Sequence, residues 1–587
     1  MRYTKVKRNP FLLGAKMLDH VVKEDAYNTP PYETILQTPK RKFPYISKIG
    51  RDLVGFHAEH SHKGNLLSLR FSDGRNLVAD DLLLPAEGLV RENDNGLTYV
   101  SLDSEHLDII VKCFGERVCR ELLEKGHSWK DGVSIWYTSC LSLTLRRGKD
   151  TVRFYGLSSW AKGGHVPSLL NLAGISIPQN LDQQATKAEE VGWKLLHVIE
   201  PHLPPATMDL SSPSTLTTEF LLDDFNKLSI RDVPPEAQQL AYECLHAPWI
   251  EMLQMGTAHD SYDYDLNSAY PFEIARLLNI DRIGGDWKEV DEYNPRATYG
   301  FYRALINIKP HAISPIRFRK HFSLYSPYGS WIGYITQGEI GFLKRTGLGD
   351  VQVFHGWTFV PKERLTPFRA TFERLLNLRQ RMREEGDQLS ASLLKLATAR
   401  ACGKFLQRIP KVNKIIEAGQ VFCPIYACEV MTQTKLRLAE LAWKQRKDVM
   451  SITVDGLLMS KSLRGPIDTG LKTEASGVAS TVFAPLIAHV PGKLSQFDLL
   501  DHIERYPNAR YLDFGSERRL TMIEALDSDN FYDAGKTIYV PMTLSMWHYN
   551  KRYWGDGLPR RSGDLLTGNW KSAPLMVEEI MLRRERR

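Results

Sequence analysis

From residue 52 the chain alternates short apolar runs with Gly and Asp turns, as in LVGFHAEH, NLLSLRFSDG and RNLVADDLLL, which predicts a small β-meander. Helical periodicity follows at 104–126, where Leu107, Ile110, Val111 and Phe114 recur three and four positions apart. A strand, TVRFYGL, is expected at 151–157 and a helix with an apolar face at 187–200, giving an α/β unit over about 50–200. The Pro-, Ser- and Thr-rich stretch 201–218 reads as a linker. Beyond it the pattern predicts strands at 262–266 and 299–308, a helical region at 366–408, a helix at 426–447 and a strand through MSITVDGLLMS.

With 587 residues, 43% hydrophobic and 25% charged, the chain has ordinary globular composition, and the pattern is that of folded units rather than disorder. That length exceeds a single core and implies roughly three or four units. A net charge of +7 suits a polyanionic partner without identifying one. Residues 1–48 are basic, punctuated by prolines, and read as an arm. The seven cysteines are scattered and form no CxxC, so no zinc site is expected and a reducing compartment is. There is no signal-peptide apolar run and no stretch near the ~20 apolar residues of a membrane span. A soluble, cytoplasmic protein with no membrane partner is expected.

Two acidic positions stand out. In YDYDLNSAYP, 262–271, a strand delivers Asp265 just before a turn-like Asn-Ser. In SITVDGLLMS, 451–460, Asp455-Gly456 lies between two apolar runs, which is a hairpin signal. A strand acid beside a hairpin-tip acid can hold two Mg²⁺ ions for phosphoryl transfer, although either alone is equally at home capping a turn. Between them, LLKLATARACGKFLQR carries basic residues at helical spacing, with Arg374, Arg379, Arg381 and Arg383 upstream. A subset facing two acids would bind a triphosphate, whereas the rest form a solvated face.

DLNSAYP, KLATARACGKF and TVDG occur in the order of motifs A, B and C of family B DNA polymerases. The segment is most similar to the protein-primed branch of phages and linear plasmids, with PIRFR, SPYGSWIGYITQGEI and CPIYACEVMTQTKLRLAEL extending the match over about 240–480. The resemblance implies an α/β (α+β) protein with an N-terminal ribonuclease-H-like exonuclease-type domain and a right-hand polymerase. The implied divisions are an arm to 48, an exonuclease-like domain and linker over 49–218, palm at 219–361 and 426–499, fingers at 362–425, and thumb with basic tail at 500–587.

It further implies that Asp265, Asp455 and the Leu266 carbonyl bind two Mg²⁺, with Mn²⁺ as a substitute. Tyr270 would stack under the sugar, and Lys395 and Arg383 would grip the triphosphate. Lys404, Arg408, Lys551 and Arg552 are assigned to DNA, alongside the aromatic–basic run with Trp547, Tyr549, Tyr553 and Trp554 and the terminal Arg583, Arg584, Arg586 and Arg587. Expected partners are primer-template DNA, dNTPs and a terminal protein or other replication protein.

The departures are equally specific. Thr453 replaces the first motif C aspartate, and Ala399 and Cys402 replace the usual Asn and Tyr of motif B. His246-Ala247-Pro248-Trp249 replaces an expected Gly-Gly turn, and the Lys-x-Tyr motif after motif C is not found. In the exonuclease-like domain His57 stands where an aspartate belongs, two positions before Glu59. Gly156 falls near another acidic position, and Glu189 or Glu190 supplies the last acid. The expected enzyme is therefore a DNA-directed DNA polymerase without proofreading. A lapsed polymerase-like scaffold and a template-independent nucleotidyltransferase are the alternatives.

Overall fold

The computed structural model describes residues 22–24, 35–36, 52–61, 63–79, 86–90, 96–138, 141–161, 166–199, 210, 212–246, 248–310, 313–321, 323–410, 416–464, 470–484, 486–492, 498–545, 551–555 and 557–583. Most of the expected arm and linker, together with Trp547, Tyr549, Arg584, Arg586 and Arg587, lie outside the described residues.

The alternating segments after residue 52 form a mixed eight-stranded sheet. Its strands are β1 (Leu53–His60), β2 (Leu66–Phe71), β3 (Asn76–Val78), β4 (Thr98–Ser101), β5 (His127–Lys130), β6 (Val133–Thr138), β7 (Ser142–Arg147) and β8 (Asp150–Gly156), in the order β3-β2-β1-β4-β8-β7-β6-β5. β4 runs parallel to both β1 and β8, and the other pairings are antiparallel. Strand alternation gives the sheet two different faces. One buries Phe56, Ile135, Leu145 and Phe154 under α1 (Glu105–Lys112) and α2 (Glu116–Lys125), the two helices into which the periodic 104–126 segment divides. The other buries Leu53, Val100 and Tyr155 under α3 (Leu181–Ile199).

The second half is built on a different sheet. Strands β9 (Glu251–Met252) and β10 (Gln254–Leu266) lead into an insertion, β11 (Gly285–Val290), β12 (Tyr299–Ile308), β13 (Gly329–Thr336) and β14 (Gly349–Pro361). These four and the short Val22–Lys23 strand form a five-stranded sheet in the order Val22–Lys23, β13, β12, β14, β11. The expected 366–408 helical region contains α4 (Arg369–Glu384) and α5 (Gln388–Ala399), and α6 (Pro424–Lys444) follows. The chain then returns as β15 (Val449–Thr453), β16 (Gly456–Met459), β17 (Leu471–Ala484), β18 (Ile487–His489) and β19 (Asn569–Lys571). The resulting order is β9-β15-β16-β10-β17-β18, with β19 paired to the start of β10.

Two packing features set the relation of these parts. Leu375 and Leu378 of α4 and Leu389, Leu393 and Leu394 of α5 enter the same core as Leu53, Val100 and Tyr155 of the N-terminal sheet. The C-terminal stretch is shared out: Met522, Leu526 and Phe531 join the N-terminal core, whereas Val577 and Ile580 join the core of the second half. Lys112 pins the first of these contacts. Its buried ammonium donates to the Tyr532 and Ala534 carbonyls at 2.8 Å each and to Asn65 Oδ1 at 3.1 Å.

Lys112→Met keeps the aliphatic stem but strands those acceptors, and a charge-assisted bond of this kind contributes about 2 kcal/mol or more. Denaturant melts are expected to show that loss, with hydrogen exchange rising first at residues 520–534. Unchanged exchange there would mean that the C-terminal contact is held elsewhere.

Candidate active site

β10 carries its side chains alternately to opposite faces. Tyr264 and Leu266 point into the core beneath α6, so Asp265 faces the other way. Asp265 pairs across the ladder with Gly456 on one side and Lys472 on the other. The turn joining β15 to β16 consists of Val454 and Asp455, one residue earlier than the Asp-Gly turn expected, and Thr453 pairs with Gly456. Neither turn residue has positive φ. Gly456 serves closeness instead: a Cβ there would lie 2.5 Å from Thr453 Oγ1 and 3.5 Å from Asp265 Oδ1. The Leu266 N–H donates to the Asp455 carbonyl at 2.8 Å, and the Asn267 N–H donates to the Gly470 carbonyl at 2.7 Å. These backbone bonds set the two aspartates side by side on neighbouring strand ends.

After Asn267 the chain turns through Ser268, at φ 51°, into the short helix Ala269–Ile274. Tyr270 is half-buried on that helix. Burial raises its phenol pKa, and the nearby Cys402 and Asp455 raise it further. One side chain thus touches the electrostatics of all three sequence motifs. Cys402 is itself buried, its thiol pushed up to about 12 by desolvation, and Ala399 is exposed.

The structure adds a residue that the sequence pattern did not single out. Arg379 of α4 donates from Nη1 to Ser268 Oγ at 2.9 Å, and its buried Nε has no hydrogen-bond partner. Burial, and then the like charge of Arg383 one turn away, lower its pKa. Arg383 and Lys395 are exposed, and α4 and α5 both contact the Ala269–Ile274 helix. Only the packing of α4 distinguishes Arg379 from its neighbours, since helical spacing alone treats them alike.

The donors here are hard oxygens: two carboxylates and the Leu266 carbonyl. Among the described residues no group of three or more His, Cys, Asp or Glu side chains is placed to hold a metal. A cation at this pair would therefore complete its shell with water and substrate oxygens, which is how Mg²⁺ is commonly held. Lys472, opposite Asp265, directs its ammonium to Glu474 at 2.8 Å.

The expected exonuclease positions are arranged otherwise. His57 is buried, with its ring centroid 4.6 Å from that of His106, and Glu59 accepts from Ser68 Oγ at 2.8 Å and Arg70 Nη2 at 3.5 Å. Burial, and then the neighbouring His60, push the His57 pKa down to about 4. Glu189 accepts from Ser72, and Glu190 pairs with Lys187 at 3.0 Å. A Cβ at Gly156 would stand 2.2 Å from Ser104 Cα, so an acidic side chain has no room there.

Two of the expected DNA contacts are corrected. Arg552 is only 3% exposed; it donates to Glu251 Oε1 at 2.6 Å and to Ser572 Oγ at 2.7 Å. Its charge is consumed inside the protein. Lys404 is likewise buried, donates to Gln407 Oε1 at 3.3 Å, and has its pKa lowered to about 8 by burial and then by Arg400. Arg408 is half-buried and donates to the Tyr242 hydroxyl at 3.0 Å, while Lys551 lies 5.8 Å from the Tyr325 ring centroid. Tyr553 is exposed, and Trp554 packs against a hydrophobic core.

No protein-family model matches the sequence, and no curated protein matches it. The fold, however, is similar to solved structures. Against Phi29 DNA polymerase complexed with primer-template DNA and incoming nucleotide substrates, the TM-score is 0.58 at 10% identity, covering 84% of this chain and 98% of that one. Against its binary complex with primer-template DNA, the TM-score is 0.55 at 11% identity, covering 84% and 100%. Against an orthorhombic crystal form of the same enzyme, it is 0.53 at 12% identity, covering 76% and 90%. The expected fold class is therefore found: mixed α/β, with the overall fold of those polymerase structures.

Arg552→Leu leaves Glu251 charged, buried and unpaired, which costs about 3–5 kcal/mol. Chemical denaturation is expected to show this, and Arg552→Leu combined with Glu251→Leu to recover much of it. A single variant as stable as the native chain would place Arg552 outside the core. For His57, the folded pKa lies below the unfolded value, so its stabilising effect is full above pH 6.5 and is lost as pH falls towards about 4. The loss is on the order of 3 kcal/mol. Urea midpoints measured from pH 7 to 4 should fall less steeply for His57→Phe than for the native chain.

Proposed function

From a chain with the fold of a right-hand DNA polymerase, we propose a DNA-directed DNA polymerase that joins dNTPs to a primer 3′-hydroxyl. The observation that carries this reading is the convergence on one spot of three segments distant in sequence. Asp265 pairs with Gly456, Leu266 bonds to Asp455, and Tyr270 packs against the core that contains Cys402. The polymerase divisions at 219–361, 362–425, 426–499 and 500–587 belong to the same proposal, as do primer-template DNA and dNTPs as partners.

In this reading Asp265, Asp455 and the Leu266 carbonyl hold divalent Mg²⁺. When bound, the metal lowers the pKa of the attacking hydroxyl and neutralises charge on the phosphate oxygens. Arg379 and Arg383 stand one helical turn apart, an arrangement that repels until an anion lies between or beside them. A triphosphate is such an anion, and Lys395 supplies a third positive charge from α5. Tyr270, held on its helix by packing, presents a flat ring to the sugar and leaves no space for a 2′-hydroxyl. Sequence choice falls to base pairing with the template, since these groups read charge and shape.

Proofreading is absent from this proposal. His57 is kept neutral by burial, Glu59 is engaged by Ser68 and Arg70, and Gly156 cannot accept an acid. Priming from a protein hydroxyl, with a terminal protein as partner, would use the same Asp265–Asp455 pair.

The decisive experiment is primer extension with Mg²⁺, with and without template, on the native chain and on Asp455→Ala. Template-dependent incorporation is expected, lost on chelation with EDTA and reduced by at least ~100-fold in the variant. No incorporation by the native chain would leave a lapsed scaffold, and template-indifferent incorporation would mark a transferase. An Asp455→Ala chain of native activity would refute the metal assignment.

A further inference from the structure

On the wing of the N-terminal sheet formed by β8, β7, β6 and β5, one face is buried, and the described residues of the two rows on the other are half-buried or exposed. Val133, Ile135, Leu143, Leu145, Val152 and Phe154 supply the buried face, so the wing needs no apolar residue on its other side. That other side continues the α3 face, but α3 lies over β1, β2 and β4. It nonetheless carries two tryptophans: Trp129 is 62% exposed and Trp136 is 43% exposed.

The ladder registers show how they are arranged. One row across the four strands reads Trp129, Ser134, Arg146, Thr151. The next row reads His127, Trp136, Thr144, Arg153. Each row therefore places one tryptophan and one arginine two strands apart, roughly 10 Å at ordinary strand spacing. The two tryptophans are diagonal neighbours, roughly 7–8 Å apart on adjacent strands. No acidic residue occurs in either row.

We propose that this face binds single-stranded DNA, with bases stacked on Trp129 and Trp136 and the backbone passing over Arg146 and Arg153. The chemistry selects the occupant. Indole faces are available to bases that lack a stacking neighbour, which a single strand has and a duplex does not. Guanidinium groups one nucleotide-width away meet phosphates, and the absence of acids in both rows favours a polyanion over a peptide of mixed charge. The choice of DNA over RNA rests on the polymerase reading; the surface itself does not depend on nucleotide transfer.

The test uses the full chain, a fluorescent oligo(dT) 20-mer and a blunt duplex of equal length, in EDTA without dNTPs. Under those conditions failure of polymerisation cannot mask binding. Trp129→Ser with Trp136→Ser is expected to weaken oligo(dT) binding at least ~10-fold while leaving duplex binding within twofold. Trp129→Phe with Trp136→Phe, which keeps stacking surfaces, should stay within threefold of native. Both positions are exposed, and matching thermal melts of the three proteins establish that the fold is retained. Native protein that does not bind oligo(dT), a serine variant within twofold of native, an equal loss on duplex, or tighter binding of oligo(rU) would each overturn the proposal.

Discussion

The structure of the second half turns on a single backbone contact, the Leu266 N–H donating to the Asp455 carbonyl at 2.8 Å. It fixes the end of β10 against the tip of the β15–β16 hairpin, and the pairing of Asp265 with Gly456 follows from the same register. A shift of one residue would turn Asp265 into the core and Leu266 out of it, so burial of Leu266 enforces the position of the acid. The separation of the two aspartates is thereby set by main-chain geometry, with no side-chain contact needed. This also explains how Thr453 can stand in place of an acid. Its hydroxyl fills the space a Cβ on Gly456 would require, so the turn closes tightly with one carboxylate at its tip.

A second constraint is electrostatic. Arg379 is drawn into the protein at Ser268 and carries an orphaned Nε, with Arg383 repelling it from the next turn. Such an arrangement is costly without an anion, and Arg379 lies on the side of α4 that also carries the buried Phe372 and Leu375. The packing of α4 thus fixes Arg379 against the turn after Asp265.

What could be seen in the sequence divides along physical lines. The strand end at Asp265 and the hairpin at Asp455 were legible because strand alternation and turn composition are local. The helix pair α4 and α5 was legible as a helical region for the same reason. Arg379 was hidden among several arginines because its identity depends on which face of α4 is buried by residues of the N-terminal sheet. Arg552 was misread for the converse reason: its partner Glu251 lies 301 positions earlier, and an aromatic–basic run gives no sign of a distant buried acid. Lys404 differs in kind, since its helix was expected but the side buried against neighbouring helices was not. The turn at Val454-Asp455 shows a finer limit, because Asp-Gly signals a hairpin while close approach, rather than positive φ, decided where Gly456 sits.

The N-terminal sheet has a packing duty of its own. Its α3 face shares a core with α4 and α5, so Leu53, Val100 and Tyr155 support the same helices that carry Arg379 and Lys395. On β1, Phe56 and Ala58 enter the core beneath α1 and α2, while the His57 ring lies 4.6 Å from that of His106. At Gly156, the contact with Ser104 seats the chain leading into α1 against the end of β8. Replacing Leu53 or Val100 would loosen the helices beside the candidate site, because all of them share one core.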